Sequence, residues 1–103
     1  MDITVQELKQ KLDSGETVTL VDVREPWENE EFNLGGQLIP LGNLMNQLWE
    51  LDAHKNDEVI VYCRSGNRSG MAKALMQAQG FANVRNLTGG VLAWKEAFGE
   101  SKS

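Results

Sequence analysis

The chain has only one thiol in 103 residues, Cys63. That excludes an internal disulfide, a CxxC redox pair and a cysteine-rich zinc site. Any sulfur or oxidant captured on Cys63 must leave to an external acceptor, because no second thiol can resolve it. Histidine is just as scarce: His54 is the only one. It sits in a polar turn away from every motif and reads as a solvated loop residue. Positive charge is in deficit too. The formal net charge of −5 argues against nucleic acid as a partner, since phosphate binding needs a basic surface. No apolar run approaches the length of a membrane span. Met1-Asp2-Ile3-Thr4 shows no basic segment followed by an apolar stretch, so no signal peptide is expected and a cytoplasmic location is the default. Repeats and low-complexity tracts are missing, and nothing in the pattern asks for a metal or other cofactor.

What is present suits one domain with a single core, placed at residues 1–98, with Gly99-Glu100-Ser101-Lys102-Ser103 as a short polar tail. Thr4-Val5-Gln6-Glu7 opens a helix as a capping box, with Val5, Leu8 and Leu12 on one face. Val18 to Val23 reads as a buried strand, and Pro26 suits a turn or helix start beyond it. Gln37-Leu38-Ile39 predicts a short strand. Asn43 is placed to cap a helix carrying Leu44, Leu48 and Leu51, with Met45 and Trp49 as a neighbouring stripe. Glu58 to Cys63 is the second strong strand. A helix over 69–79 follows, with Met71, Ala74, Leu75 and Ala78 expected inward and Gly80 as its stop. Val84 to Leu87 is a third strand, and Gly89-Gly90 turns into a last helix with Val91, Trp94, Lys95 and Phe98. Strands alternating with helices predict an α/β fold, a parallel sheet covered on both faces. Ligands of such sheets bind beyond the carboxyl ends of the strands, where Asp22-Val23-Arg24 and Cys63-Arg64 fall.

Cys63 ends the apolar run Val59-Ile60-Val61-Tyr62 and precedes Arg64-Ser65-Gly66-Asn67-Arg68-Ser69. A strand end, a loop of N–H groups, a helix N-terminus and two guanidinium groups each favour thiolate over thiol. Gly66 permits a positive φ, and Asn67 tolerates left-handed geometry. The helix dipole contributes roughly 0.3–1 kcal/mol, up to about 2 when partly buried. Together these features predict a thiol ionised near neutral pH without a histidine base. Free cysteine is often simply buried, but a structural cysteine needs neither nest nor guanidinium pair. Arg64 and Arg68 make the segment locally positive, which fits a small anion.

Four segments carry a family resemblance: Asp22-Val23-Arg24-Glu25-Pro26-Trp27-Glu28, Val61 to Ser69, Gly80-Phe81-Ala82-Asn83-Val84, and Asn86-Leu87-Thr88-Gly89-Gly90-Val91-Leu92-Ala93-Trp94. In order and spacing, over nearly the whole chain, they resemble the successive signatures of a single-domain rhodanese. The resemblance implies a five-stranded parallel sheet with helices on both faces, and transfer of sulfane sulfur through a persulfide on Cys63. It makes residues 64–69 the active-site loop, and thiosulfate, sulfite and thiol acceptors the partners, with a donor or acceptor protein as a further one. Phe32-Asn33-Leu34-Gly35-Gly36-Gln37-Leu38 departs from the Gly-His-Ile-type segment of most relatives and alters one pocket wall.

The remaining residues have plainer readings. Asp22 is expected to pair with Arg24 and hold the strand end, with Arg24 divided between support and substrate contact. Ser65 and Ser69 either donate hydroxyl hydrogen bonds to bound sulfur or cap the helix, and Ser69 is read chiefly as the cap. Glu25, Glu28, Glu30 and Glu31 form a solvated acidic face, Trp27 and Trp49 belong to core or rim, and Trp94 to the core. Two rivals to the sulfurtransferase reading remain. One is persulfide relay to a partner protein. The other is a phosphatase or arsenate reductase, disfavoured because those loops resemble Cys-x5-Arg whereas Cys63 to Arg68 is Cys-x4-Arg.

Overall fold

The computed structural model describes residues 1–100, so Ser101 to Ser103 of the expected tail lie outside it. Four strands form one sheet: β1 (Thr19–Asp22), β2 (Gln37–Leu38), β3 (Glu58–Tyr62) and β4 (Asn83–Asn86). Their spatial order is β2-β1-β3-β4, and every pairing is parallel. The helices are α1 (Val5–Asp13), α2 (Pro26–Glu31), α3 (Leu44–Gln47), α4 (Asn67–Ala78) and α5 (Gly90–Phe98).

Alternation along β3 divides the interior in two. Val59 and Val61, with Cys63 just beyond the strand, pack with Leu44, Leu48, Leu51, Ala72 and Met76 from α3, the 3₁₀ stretch Leu48–His54 and α4. Ile60 and Tyr62 face the other way, onto Leu8 of α1 and Val91 and Trp94 of α5. Cys63 therefore emerges on the α4 side, and the fold aims α4's N-terminus at it.

The sheet has four strands rather than five. A fifth survives as one parallel bridge, Ile3 with Leu87, made by Ile3 N–H to Asn86 O at 3.0 Å and Thr88 N–H to Ile3 O at 2.9 Å. Thr4 already caps α1, its Oγ1 accepting the Glu7 N–H at 3.1 Å, so helical geometry begins before a second residue can pair.

The inward face of α4 also differs from expectation. The helix starts at Asn67, with Gly66 at its cap position, and buries Ser69, Ala72 and Met76. Ala74 and Ala78 are exposed, and Met71 is 56% and Leu75 38% exposed. At 100° per residue these four lie roughly opposite Ser69. Turning Ser69 toward the cysteine turns them to solvent. The segment after Asn43 buries Leu44, Leu48 and Leu51 as expected but leaves Met45 and Trp49 outside. It is a single α-turn followed by 3₁₀ helix, and the Asn43 side chain caps nothing.

Candidate active site

The end of β3 is anchored before any chemistry begins. Cys63 O accepts the Val91 N–H and Arg64 O the Leu92 N–H, both at 3.0 Å, so the first turn of α5 grips the strand just where the cysteine leaves it. Gly90 makes this approach possible. At φ +58° it is left-handed, and a Cβ there would collide with Cys63 O and Arg64 O.

Beyond Cys63 the chain curls back over its own sulfur. Gly66 adopts φ +105°, a conformation that side chains resist, and its N–H donates to Cys63 Sγ at 3.1 Å. Ser69 Oγ lies 3.3 Å from Sγ. Ser69 is fully buried at the third position of α4, so it faces the sulfur and is not the helix cap. Burial pushes the Cys63 thiol up. The Ser69 hydroxyl and the backbone N–H groups of Ser69, Gly66 and Ser65 outweigh it, and the thiol ionises below its ordinary value.

Arg64 is exposed and its side chain makes no ion pair or hydrogen bond among the described residues. It lines a groove with Trp27, Leu92 and Lys95. Arg68 is committed elsewhere: its Nη1 and Nη2 reach Glu28 Oε1 and Oε2 at 2.7 and 2.9 Å. Glu28 therefore is not part of a solvated face. It is 8% exposed, also accepts the Glu25 N–H at 3.0 Å, and its carboxyl is held down at about 2, chiefly by the Arg68 hydrogen bonds. Trp27 sits on the rim, and Trp49 is outside the core.

Asp22 and Arg24 form the expected structural pair. Asp22 Oδ1 accepts from Arg24 N and Nε at 3.0 and 2.9 Å, and Oδ2 accepts from Nη2 at 2.8 Å. Asn29 of α2 adds a bond to Oδ2 at 2.9 Å, and Arg24 donates onward to Phe32 O at 2.7 Å. The pair thus ties β1 to α2 and to the 32–38 segment. That segment is further pinned by Tyr62, whose hydroxyl accepts from Leu34 N–H at 3.1 Å and donates to Gly35 O at 2.9 Å.

Two residues at the loop escaped the sequence reading, Glu28 and Asn86. Glu28 stands at N3 of a helix opened by Pro26, a position that reaches back to the chain entering the helix. Asn86 is polar at the carboxyl end of β4, in register with Val61, the rim where parallel sheets place ligands. Its Nδ2 donates to Gly66 O at 3.0 Å, and its Oδ1 lies 2.5 Å from Ser69 Oγ. Among the described residues no cluster of His, Cys, Asp and Glu could hold a metal ion, and no helix is long and apolar enough to cross a membrane.

Residues 4–97 match the model of the rhodanese-like domain. A sulfurtransferase of Allochromatium vinosum is 37% identical over 90% of this chain and 86% of its own length. The putative sulfur carrier protein YrkF of Bacillus subtilis is 40% identical, but the chain spans only 50% of it. Among solved structures, the human single-domain sulfurtransferase TSTD1 superposes with a TM-score of 0.80 at 27% identity, covering 92% of this chain and 95% of that one.

Proposed function

This chain belongs to the rhodanese-like domain family, and we propose that it is a sulfurtransferase carrying sulfur as a persulfide on Cys63. The observation that carries this reading is the ring of donors around one sulfur atom. The Gly66 N–H at 3.1 Å and the Ser69 hydroxyl at 3.3 Å stabilise the thiolate, and the hydrogen bond of His54 goes to Asp57 instead. The backbone N–H groups of the loop then hold the charged intermediate.

In the first half-reaction the Cys63 thiolate attacks the outer sulfur of thiosulfate. The new S–S bond forms as the old one breaks, and sulfite leaves with the bonding pair. Arg64, the unpaired cation at the rim, receives the departing anion. Arg68 contributes charge while its fork stays on Glu28. In the second half a thiol, or cyanide in the test tube, takes the outer sulfur and restores the thiolate. This is covalent catalysis with ping-pong kinetics. The short Cys-x4-Arg loop, with its arginine held by Glu28 at 2.7 Å, favours this chemistry over binding a tetrahedral oxyanion for phosphate or arsenate reactions.

A second reading, relay to a partner protein, is favoured by the relatives in which such a domain is one part of a longer chain. YrkF is one of them, and the probable adenylyltransferase/sulfurtransferase MoeZ of Mycobacterium tuberculosis, with 24% of its length matched, is another. A steady-state assay with thiosulfate and cyanide, beside Cys63→Ser, tests the first reading. Thiocyanate production abolished in the variant is expected. No turnover with cyanide or small thiols, together with turnover by an added acceptor protein, would replace it with the relay.

A further inference from the structure

Ser69 has one hydroxyl proton and two acceptors. Asn86 Oδ1 lies 2.5 Å from its oxygen and Cys63 Sγ 3.3 Å. The Asn86 amide cannot turn to offer its nitrogen instead, because Nδ2 is donating to Gly66 O at 3.0 Å and reversing it would set two oxygens against each other. The backbone fixes the residue as well. Its N–H donates to Asp2 Oδ1 at 3.1 Å, its carbonyl accepts the Ile3 N–H at 3.0 Å, and the Lys73 ammonium holds Asp2 at 2.7 Å.

We propose that Asn86 is a positioning residue of the cysteine loop, holding Gly66 through its amide nitrogen and competing with Cys63 for the single hydroxyl proton of Ser69. The proposal rests on Cys63 being the working thiol, as argued above. When Sγ is neutral, as thiol or as the inner sulfur of a persulfide, the shorter contact wins and Ser69 donates to Asn86. When the thiol loses its proton to solvent, the hydroxyl turns to Sγ and the Asn86 oxygen gives up its partner. No bond between heavy atoms changes; the proton stays on Ser69 and follows the charge. Asn86 thereby opposes ionisation of Cys63 and favours the states in which Sγ is uncharged, including the sulfur-loaded one. The charged groups around this sulfur are Arg64 on the loop, Arg68 on α4 with Glu28 of α2, and the Asp22–Arg24 pair at the end of β1. On the β4 side, Asp2 and Lys73 meet at the Asn86 backbone.

The test is a thermodynamic cycle on the titration of Cys63, read from thiolate ultraviolet absorbance with Cys63→Ser as the blank. The single tyrosine, Tyr62, is buried and its hydroxyl is pushed up, which keeps its signal clear of the thiolate. Asn86→Ala is measured alone and in the Ser69→Ala background. Comparing backgrounds cancels whatever Asn86→Ala does through Gly66. The Cys63 midpoint after Asn86→Ala should fall, relative to its parent, by about half a pH unit more with Ser69 present than without it, the scale of one modest hydrogen bond. Equal changes in both backgrounds, or a greater fall without Ser69, would overturn the proposal. Because absorbance requires no sulfur donor, failure of the sulfurtransferase reading appears separately, as lack of turnover in the parent protein.

Discussion

Around Cys63 the loop residues turn their hydrogen-bond donors toward one sulfur. The pKa of Cys63 is lowered by donors rather than by a base, even though burial works against ionisation. A lowered thiol pKa means that the thiolate fraction, and with it attack on a donor, rises with pH only up to that pKa and is flat above it. Ser69→Ala removes the nearest hydroxyl, so the midpoint of kcat/KM against pH for the donor should move up by about one pH unit. An unchanged profile would mean that Ser69 is packing and nothing more. The loop around Cys63 was legible from sequence because strand, glycine loop and helix follow one another locally. The role of Ser69 was not. Assigning it to a cap assumed that α4 begins at that residue, and the helix begins two residues earlier, at Asn67. Asn86 lies seventeen residues on from Ser69, and only strand pairing brings it to the loop.

At the element scale, α2 and α4 are joined by one ion pair, Glu28 with Arg68. The Glu28 carboxyl titrates at about 2 against an ordinary 4.5, which sets the sign of its pH effect. Its contribution to stability is complete above the ordinary value and is lost as pH falls through the folded one. Glu28→Gln should therefore destabilise the fold by roughly 1–3 kcal/mol at neutral pH, reduced by the partial exposure of Arg68. The difference from wild type should shrink in urea titrations as pH drops from 4.5 toward 2. A constant difference over that range would contradict the pairing. Apolar periodicity located α1, α4 and α5 but misjudged the face of α4, and α2 was marked only by Pro26 as a turn or helix start. Met71, Ala74, Leu75 and Ala78 carry more hydrophobicity than Ser69 and Ala72, yet the serine's partners lie inward. Hydrophobic pattern cannot weigh a hydrogen bond to sulfur.

Across the whole molecule, the core layer that α1 and α5 share on one side of the sheet meets the site through the start of α5. Trp94 and Val91 are buried against Ile60 and Tyr62, and the same helix start holds Cys63 O and Arg64 O. Gly90→Ala should thus cost stability, roughly 1–3 kcal/mol by denaturant unfolding, and slow sulfur transfer in the protein that remains folded. Loss of stability with unchanged kcat/KM would show that this anchor does not shape the loop. The parallel sheet and its two covers were legible because continuous β-branched runs alternate with helical spacing. The strand count follows the residue pattern, which marks four strands, and not the five that the resemblance implied; Ile3 adds one bridge to Leu87 before the cap at Thr4 ends the pairing. Intact mass after incubation with thiosulfate alone reads whether Cys63 carries sulfur covalently. The persulfide mechanism predicts a gain of one sulfur atom that cyanide removes and Cys63→Ser never acquires. A wild-type mass unchanged by thiosulfate and by persulfide donors would contradict it.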